Sequence, residues 1–334
     1  MRLTAEELFK ISIIICHHTG NLIYRCLESL ANIQAQVIVV TTDPNFVKPT
    51  NRVSTLHLVP YLNSPTFKRN QGAILAKGKY ITFLDDDVTL GKNFFGRDCI
   101  GEMAKYLDEH DNVGMVYATL YKADNDMVID TSGSYLTRTG FLYETYLRRR
   151  FNDTKPILSG KSACCMVRKE LFDKIGGFDE DFIIYGEETD LSWRIWLAGY
   201  KIMVLPSAIA YHAAETALKP SNYYNQRFIH YHGCKNYITM LIKNLPANKL
   251  YIVLINTFIW FITSCCLWFK SKQGAQWIRQ GIYYNITELK HTWAKRRIIQ
   301  KNADHSTAKL YYKNPPLKYY LGRLKDYITH QLHC

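Results

Sequence analysis

The sequence predicts an α/β protein with a mostly parallel central sheet flanked by helices, followed by a helical, membrane-associated C-terminal region. Three observations carry that expectation. Short β-branched runs alternate with segments of helical spacing over the first two thirds of the chain. One of those runs stops at three consecutive aspartates. Charge and apolarity change together near residue 218, with 24 basic against 26 acidic residues up to that point and 18 against 3 from residue 219 onward.

Taken in order, Ile11 to Cys16 is an apolar run followed by the polar His17, His18, Thr19, Gly20 and Asn21. Leu22, Ile23, Cys26, Leu27 and Leu30 then recur at helical spacing. With no third ligand near them in sequence, the two histidines read as loop residues or helix-entry donors. Val37 to Val40 is a second buried strand closing on Thr41, Thr42, Asp43 and Pro44. Val53 to Val59 reads as a third strand, and Phe67 to Lys77 as the helix feeding the next one. In such a series ligands gather beyond the C-terminal strand ends.

Tyr80 to Leu90, Y-I-T-F-L-D-D-D-V-T-L, delivers Asp85, Asp86 and Asp87 to such an end. Adjacent carboxylates stay ionised together when a cation or a set of donors sits among them. Mg²⁺ or Mn²⁺, with their preference for oxygen, are the expected guests. Capping of the next helix is the plainer alternative. Beyond it, Asn93 to His110 is helix-like and Asn112 to Tyr121 strand-like. Asp124 to Asp153 is less regular and carries Arg148, Arg149 and Arg150, a phosphate binder or a solvated basic turn.

The second informative block, Pro156 to Ala213, holds Gly160, Ser162, a short helix from Arg168 and the turn Gly176-Gly177-Phe178-Asp179. Glu187, Glu188 and Asp190 then fall in the first turn of a helix. There the dipole is expected to keep them ionised, as a candidate general base requires; N-terminal capping is the simpler role.

The net charge of +13 belongs to the C-terminal third, which points to an anionic surface as partner. Leu250 to Phe269 is uncharged over a length that makes about 30 Å of helix, so the expected surface is membrane, not nucleic acid. A single pass would leave 13 basic and 3 acidic residues after Phe269 on the far side, against the positive-inside tendency, so a re-entrant or interfacial hairpin stands beside it. An amphipathic helix is expected at about 275–297, lying among anionic headgroups or packed on the preceding α/β domain. Nine cysteines without C-x-x-C spacing, and an N-terminus unlike a signal peptide, fit reduced thiols and a cytoplasmic setting.

Five pieces in this order resemble the family 2 glycosyltransferases of GT-A fold, with a looser similarity to rhamnosyltransferase-like members in K-N-L-P near residue 245. The pieces are I-S-I-I-I-C, K-R-N-Q-G-A-I-L-A-K-G-K-Y-I-T-F-L-D-D-D-V, S-G-K-S-A, G-G-F-D-E-D-F and G-E-E-T-D-L-S-W-R-I-W-L-A-G-Y-K-I. The resemblance runs from about Ile11 to His212. It implies a catalytic domain at 1–218 and a membrane-association region at 219–334, on the cytoplasmic face as a peripheral, monotopic or single-pass protein.

It also implies a nucleotide-sugar donor, a saccharide or polyprenyl-linked saccharide acceptor, and inversion at the transferred sugar. Asp87 is implied as metal ligand, with Asp85 toward metal and ribose and His212 as a further ligand. Asp43, Arg69 and Asp86 are implied on the nucleotide side, and Gly160, Ser162 and Glu187 on the acceptor side. Glu188 takes the place of the catalytic base, where the family commonly has Asp, so Asp190 stays an alternative. Two competing readings are a haloacid-dehalogenase-type phosphatase using Asp85 and Asp87 and a membrane-bound nucleotide-sugar binder without turnover.

Overall fold

The computed structural model describes residues 10–49, 53–59, 64–91, 98–123, 125–144, 153–213, 227–316 and 321–322. Arg148, Arg149 and Arg150 and the boundary at 218/219 lie outside the described residues. The alternating first half builds β1 (Ile11–His17), α1 (Leu22–Ser29), β2 (Gln36–Thr41), β3 (Thr55–Leu58), α2 (Pro65–Leu75) and β4 (Tyr80–Asp85). β2, β1 and β4 are almost wholly buried, as continuous apolar runs in a parallel sheet must be. β1 pairs in parallel with both β2 and β4, setting Cys16 opposite Asp85 and His17 opposite Thr41.

After the aspartates come β5 (Val88–Leu90), α3 (Cys99–Glu109) and β6 (Val113–Lys122). The stretch read as irregular contains β7 (Asn125–Thr131), an added strand on β6, and a hairpin of β8 (Ser134–Leu136) and β9 (Leu142–Glu144). Next are β10 (Lys155–Pro156), β11 (Cys164–Arg168), α4 (Lys169–Lys174), α5 (Glu187–Leu197) and β12 (Lys201–His212). The main sheet order is β10-β12-β6-β11-β4-β1-β2-β3, with β5 paired to β12. β11 runs antiparallel to both its neighbours, so the sheet is mixed but mostly parallel.

β12 runs on past Leu205 to His212. Its register on β6 shifts between Leu205 and Ile209, so Pro206, which has no N–H for the ladder, is absorbed in a bulge. That extension carries His212 back to the aspartates, opposite Val88 of β5.

The C-terminal third forms α6 (Gly233–Asn244), α7 (Tyr251–Trp268), α8 (Lys272–Thr287) and α9 (Leu289–Gln300). Met240, Leu241, Leu245, Ile252 and Tyr311 join the core cluster of the sheet, packed with Trp193 and Trp196. The single helix expected at about 275–297 is two helices meeting at Glu288, each tied separately to α6. Asn285 accepts from Thr239 and donates to the carbonyl of Lys235, while Arg296 donates to the carbonyls of Ile242 and Leu245.

Ala247–Trp268 is 22 residues long and apolar enough to cross a membrane. Its polar residues face inward, where Asn256 donates to the Thr139 carbonyl and Ser264 to that of Ala275. The opposite face leaves Leu254 73%, Phe258 63% and Phe261 48% exposed.

Candidate active site

β4 runs out at Asp85, and the chain turns through Asp86 and Asp87 before β5 returns along β12. The backbone N–H of Ala213 donates to the Asp87 carbonyl at 3.0 Å, locking the end of β12 against the turn. His212 Nε2 then lies 3.4 Å from Asp87 Oδ1. Asp85, Asp87 and His212 each offer one ligand atom, all within 4.8 Å of one another. The other nitrogen of His212, Nδ1, is 3.0 Å from Asp130 Oδ2, and Lys161 holds the same oxygen at 2.7 Å.

Two carboxylates and an imidazole whose far nitrogen is anchored on a carboxylate form a donor set suited to a divalent ion. Burial disfavours a charged His212, but Asp130 and Asp87 outweigh it and push its pKa up to about 9. The pocket therefore draws positive charge.

Asp86 points elsewhere, to His17 Nδ1 at 2.8 Å. His17 is thus the buried end of β1 rather than a loop residue, and Lys68 donates to its carbonyl. Asp43 follows β2 at the same end of the sheet, its Oδ1 accepting from the backbone N–H of Asn45.

Arg69, implied on the nucleotide side, is buried with both ends of its guanidinium engaged. Nη2 donates to Asp85 Oδ1 and Nη1 to Glu187 Oε1, each at 3.0 Å. A single fixed charge from α2 thereby joins the strand-end acids to the first turn of α5. Burial opposes the charge, yet the two carboxylates raise the Arg69 pKa and keep it cationic. Glu187, placed by resemblance on the acceptor side, is in the structure the other end of this strut.

Glu188 keeps partial exposure, whereas Glu187 and Asp190 are buried. The expectation that the helix dipole holds Glu188 ionised is overturned. Burial first, and then repulsion from Glu187, hold its carboxyl well above the usual carboxylate range.

Asp190, the alternative base, is sealed from the cleft. It accepts from Arg194 Nε and Asn244 Nδ2, both at 2.9 Å, and from Lys243 Nζ at 2.8 Å. Gly160 sits against the Tyr117 ring, where an added Cβ would fall 2.7 Å from Cδ1. Ser162 is nearly buried beside Ala163, whose carbonyl accepts from the N–H of Asp85.

The loop that delivers Glu187 and Glu188 is backbone-strained, with Ile183 at φ 58° and Tyr185 at φ 67°. Asn236 of α6 holds it, its amide donating to the carbonyls of Phe182, Ile184 and Tyr185 at 2.9, 2.7 and 2.7 Å. Lys235 donates to the Asp181 carbonyl, and Lys243 Nζ reaches Asp179 at 2.5 Å as well as Asp190. Sequence reading missed Asp130, Asn236 and Lys243 in these roles. Nothing local marks Asp130 or Asn236, while Lys243 stands in the K-N-L-P that carries the looser resemblance.

Solved structures share this fold. S. aureus TarS 1-349 superposes with TM-score 0.56 at 17% identity, covering 88% of this chain and 89% of that one. GalNAc-T7 with UDP, GalNAc and Mn²⁺ gives TM-score 0.51 at 14% identity over 77% of this chain and 56% of that one. These likenesses establish the GT-A architecture.

The sequence model of the family described as Glycosyltransferase like family 2 matches residues 45–258, and the chain belongs to that family. A Mycobacterium tuberculosis N-acetylglucosaminyl-diphospho-decaprenol L-rhamnosyltransferase is 38% identical over 68 residues, 20% of this chain and 22% of that protein. A putative polypeptide N-acetylgalactosaminyltransferase 13 of Drosophila melanogaster is 26% identical over 152 residues, 42% of this chain and 26% of that protein. The chain thus spans about a quarter or less of the length of these curated relatives. The phosphatase reading falls with this result, and also with the topology, since three strands precede β4.

Proposed function

We propose that the chain is a divalent-metal-dependent, inverting glycosyltransferase that moves one sugar from a nucleotide-sugar donor to a hydroxyl of a saccharide or polyprenyl-linked saccharide at a membrane surface. The observation that carries the reading is the Arg69 strut, which sets a cation-drawing Asp85/Asp87/His212 cluster beside a raised, half-buried Glu188.

Asp85, Asp87 and His212 would hold Mg²⁺ or Mn²⁺, which when bound would supply positive charge against the negative charge that grows on the leaving group. Asp43 and the Asp86–His17 pair, at the ends of β2, β4 and β1, border the nucleotide side. Gly160 and Ser162 border the acceptor. Glu188 takes the proton of the acceptor hydroxyl as the new C–O bond forms and the bond to the diphosphate breaks. Its raised pKa makes it a stronger base than an exposed carboxylate once deprotonated. One displacement without a covalent intermediate inverts the anomeric carbon.

Residues 1–218 are proposed as the catalytic unit and 219–334 as the membrane-association region, at the cytoplasmic face. One face of α7 packs on the protein and the other is apolar and exposed, which favours an interfacial position over a span through lipid.

The test is a panel of nucleotide sugars with Mn²⁺, scored by calorimetry and by nucleotide release. One donor should bind, Asp87→Ala should lose the metal-dependent part of that binding, and Glu188→Gln should bind without turnover. Turnover retained in Glu188→Gln would remove Glu188 as the base. Absence of any donor binding would remove the glycosyltransferase reading.

A further inference from the structure

We propose that the cavity at the first turn of α7 is a phosphate site for the headgroup of an anionic membrane lipid. This deepens the membrane placement argued above and rests on it. The cavity, of about 310 Å³, is lined by Arg138, Lys249 and Lys309 together with Tyr251, Tyr312 and Asn314, and by no acidic residue among the described residues. Three cations gathered from three segments of chain repel one another, and an anion among them relieves that cost.

Each segment is fixed in place. Arg138 sits in the β8–β9 turn, where the Thr139 carbonyl accepts from Asn256. At Gly140, φ 78°, a Cβ would stand 2.7 Å from Leu241 and 3.0 Å from Ile252. Lys309 and Tyr312 lie on the segment that pairs with β8, through Leu136 N–H to the Tyr311 carbonyl and Lys313 N–H to the Leu136 carbonyl, each at 2.9 Å. Lys249 ends the turn before α7, its Nζ 4.2 Å from the centre of the Tyr312 ring. The Tyr312 hydroxyl is buried and has no hydrogen-bond partner among the described residues. The first turn of α7 carries no acid, so its positive end adds to the same field.

Lipid, rather than soluble phosphate, follows from continuity. Tyr251 both lines the cavity and begins the exposed apolar face, which continues through Leu254, Phe258 and Phe261. A phosphate held by Arg138, Lys249 and Lys309 leaves its acyl chains to run along that face, and an anionic headgroup complements the charge.

The test is flotation of the full chain with vesicles of phosphatidylcholine alone or with added phosphatidic acid. Wild type is expected on the anionic vesicles at least about tenfold more than on neutral ones, in line with two or three basic contacts. Arg138→Glu with Lys309→Glu should abolish that preference while leaving neutral-vesicle binding and melting temperature unchanged. The charge-matched control Lys174→Glu with Lys301→Glu should keep it.

An equal loss in the control, or no loss in the site variant, overturns the site while the membrane placement stands. Wild type that floats with neither vesicle overturns the membrane placement itself, and a dimer dispersed by Phe258→Asp would then show that a second copy covers α7. Calorimetric binding of inorganic phosphate without any vesicle preference overturns the lipid assignment.

Discussion

Two acidic clusters meet in the first turn of α5, and the structure treats them in opposite ways. Asp179, Asp181 and Asp190 are neutralised by the protein itself. Lys243 and Lys295 reach Asp179 at 2.5 Å each, Lys295 reaches Asp181 at 2.6 Å, and Arg194 and Lys243 close on Asp190. Among the described residues, the ion pairs of Asp85, Asp86, Asp87 and Glu187 run to Arg69, His17 and His212, with Glu188 beside them. The difference teaches that a cluster of acids marks a site only where the chain withholds the counter-charge. In the first cluster the cations come from α5, α6 and α9, so the carboxylates are structural.

The largest expected effect lies in the second cluster. Loss of a general base typically costs about 10²–10⁴ in rate, so Glu188→Gln should fall by that factor in kcat with donor affinity preserved. Because the Glu188 pKa is raised, kcat/KM of the wild type should climb with pH through an acid limb above the ordinary value of about 4.3. A wild-type limb at or below that value would show that Glu188 is not the titrating base.

Next comes the first cluster, by stability instead of rate. Lys243 is fully buried between two carboxylates, and Lys243→Met strands them, at a cost of about 3–5 kcal/mol in chemical denaturation. The pair Lys243→Met with Asp190→Asn should recover part of that loss, because the amide removes one stranded charge and its oxygen still accepts from Arg194 or Asn244.

Asp179 and Asp190 have pKa values held low; burial opposes this, but Lys243 prevails. A carboxylate depressed on folding contributes stability above its unfolded pKa, and that contribution is lost as pH falls toward the folded one. Wild-type stability should therefore drop below about pH 4, and less steeply in the double variant. Equal slopes in the two proteins would mean that other carboxylates govern acid unfolding.

Most of the sheet was legible because buried parallel strands read as unbroken β-branched runs, and the aspartate-tipped strand carried its own chemistry. Beyond that the pattern failed for physical reasons. Pro206 reads as a strand end, although a bulge lets β12 run on to His212. The first turn of α5 reads as three equivalent acids. Burial and partners drawn from α2 and α6 turn them into a strut, a base and a structural ion, and no local pattern encodes which is which. Asn236 lies 48 residues beyond Glu188 in sequence, so its hold on the strained loop is visible only in three dimensions.

That hold makes a smaller prediction. Asn236→Ala leaves three carbonyls short of a donor around two positive-φ residues, which should cost about 1–3 kcal/mol of stability. If Asn236 positions Glu188, kcat falls while donor KM stays put. A parallel fall in both, or a loss of stability without loss of kcat, would make it a fold residue only.

The smallest effect is expected at Asp130, which separates the two clusters most finely because it supplies negative charge behind a ligand. An outer carboxylate that orients a ligating histidine is worth about 10–100-fold in metal affinity. Asp130→Asn still offers an oxygen to His212 Nδ1, whereas Asp130→Leu offers none, so Mn²⁺ affinity measured by calorimetry should fall in the order wild type, Asn, Leu. Lys161 loses the same partner in both variants. Lys161→Met, which removes the ion pair and keeps the His212 contact, should therefore leave Mn²⁺ affinity close to wild type. Equal losses in Asp130→Leu and Lys161→Met would place the effect in the ion pair and sever Asp130 from the histidine. A graded series with Lys161→Met unaffected would show that cation affinity in the cleft is set one layer behind the ligands. That is the reverse of the Asp179 cluster, where lysines of the chain itself fill the place of the cation.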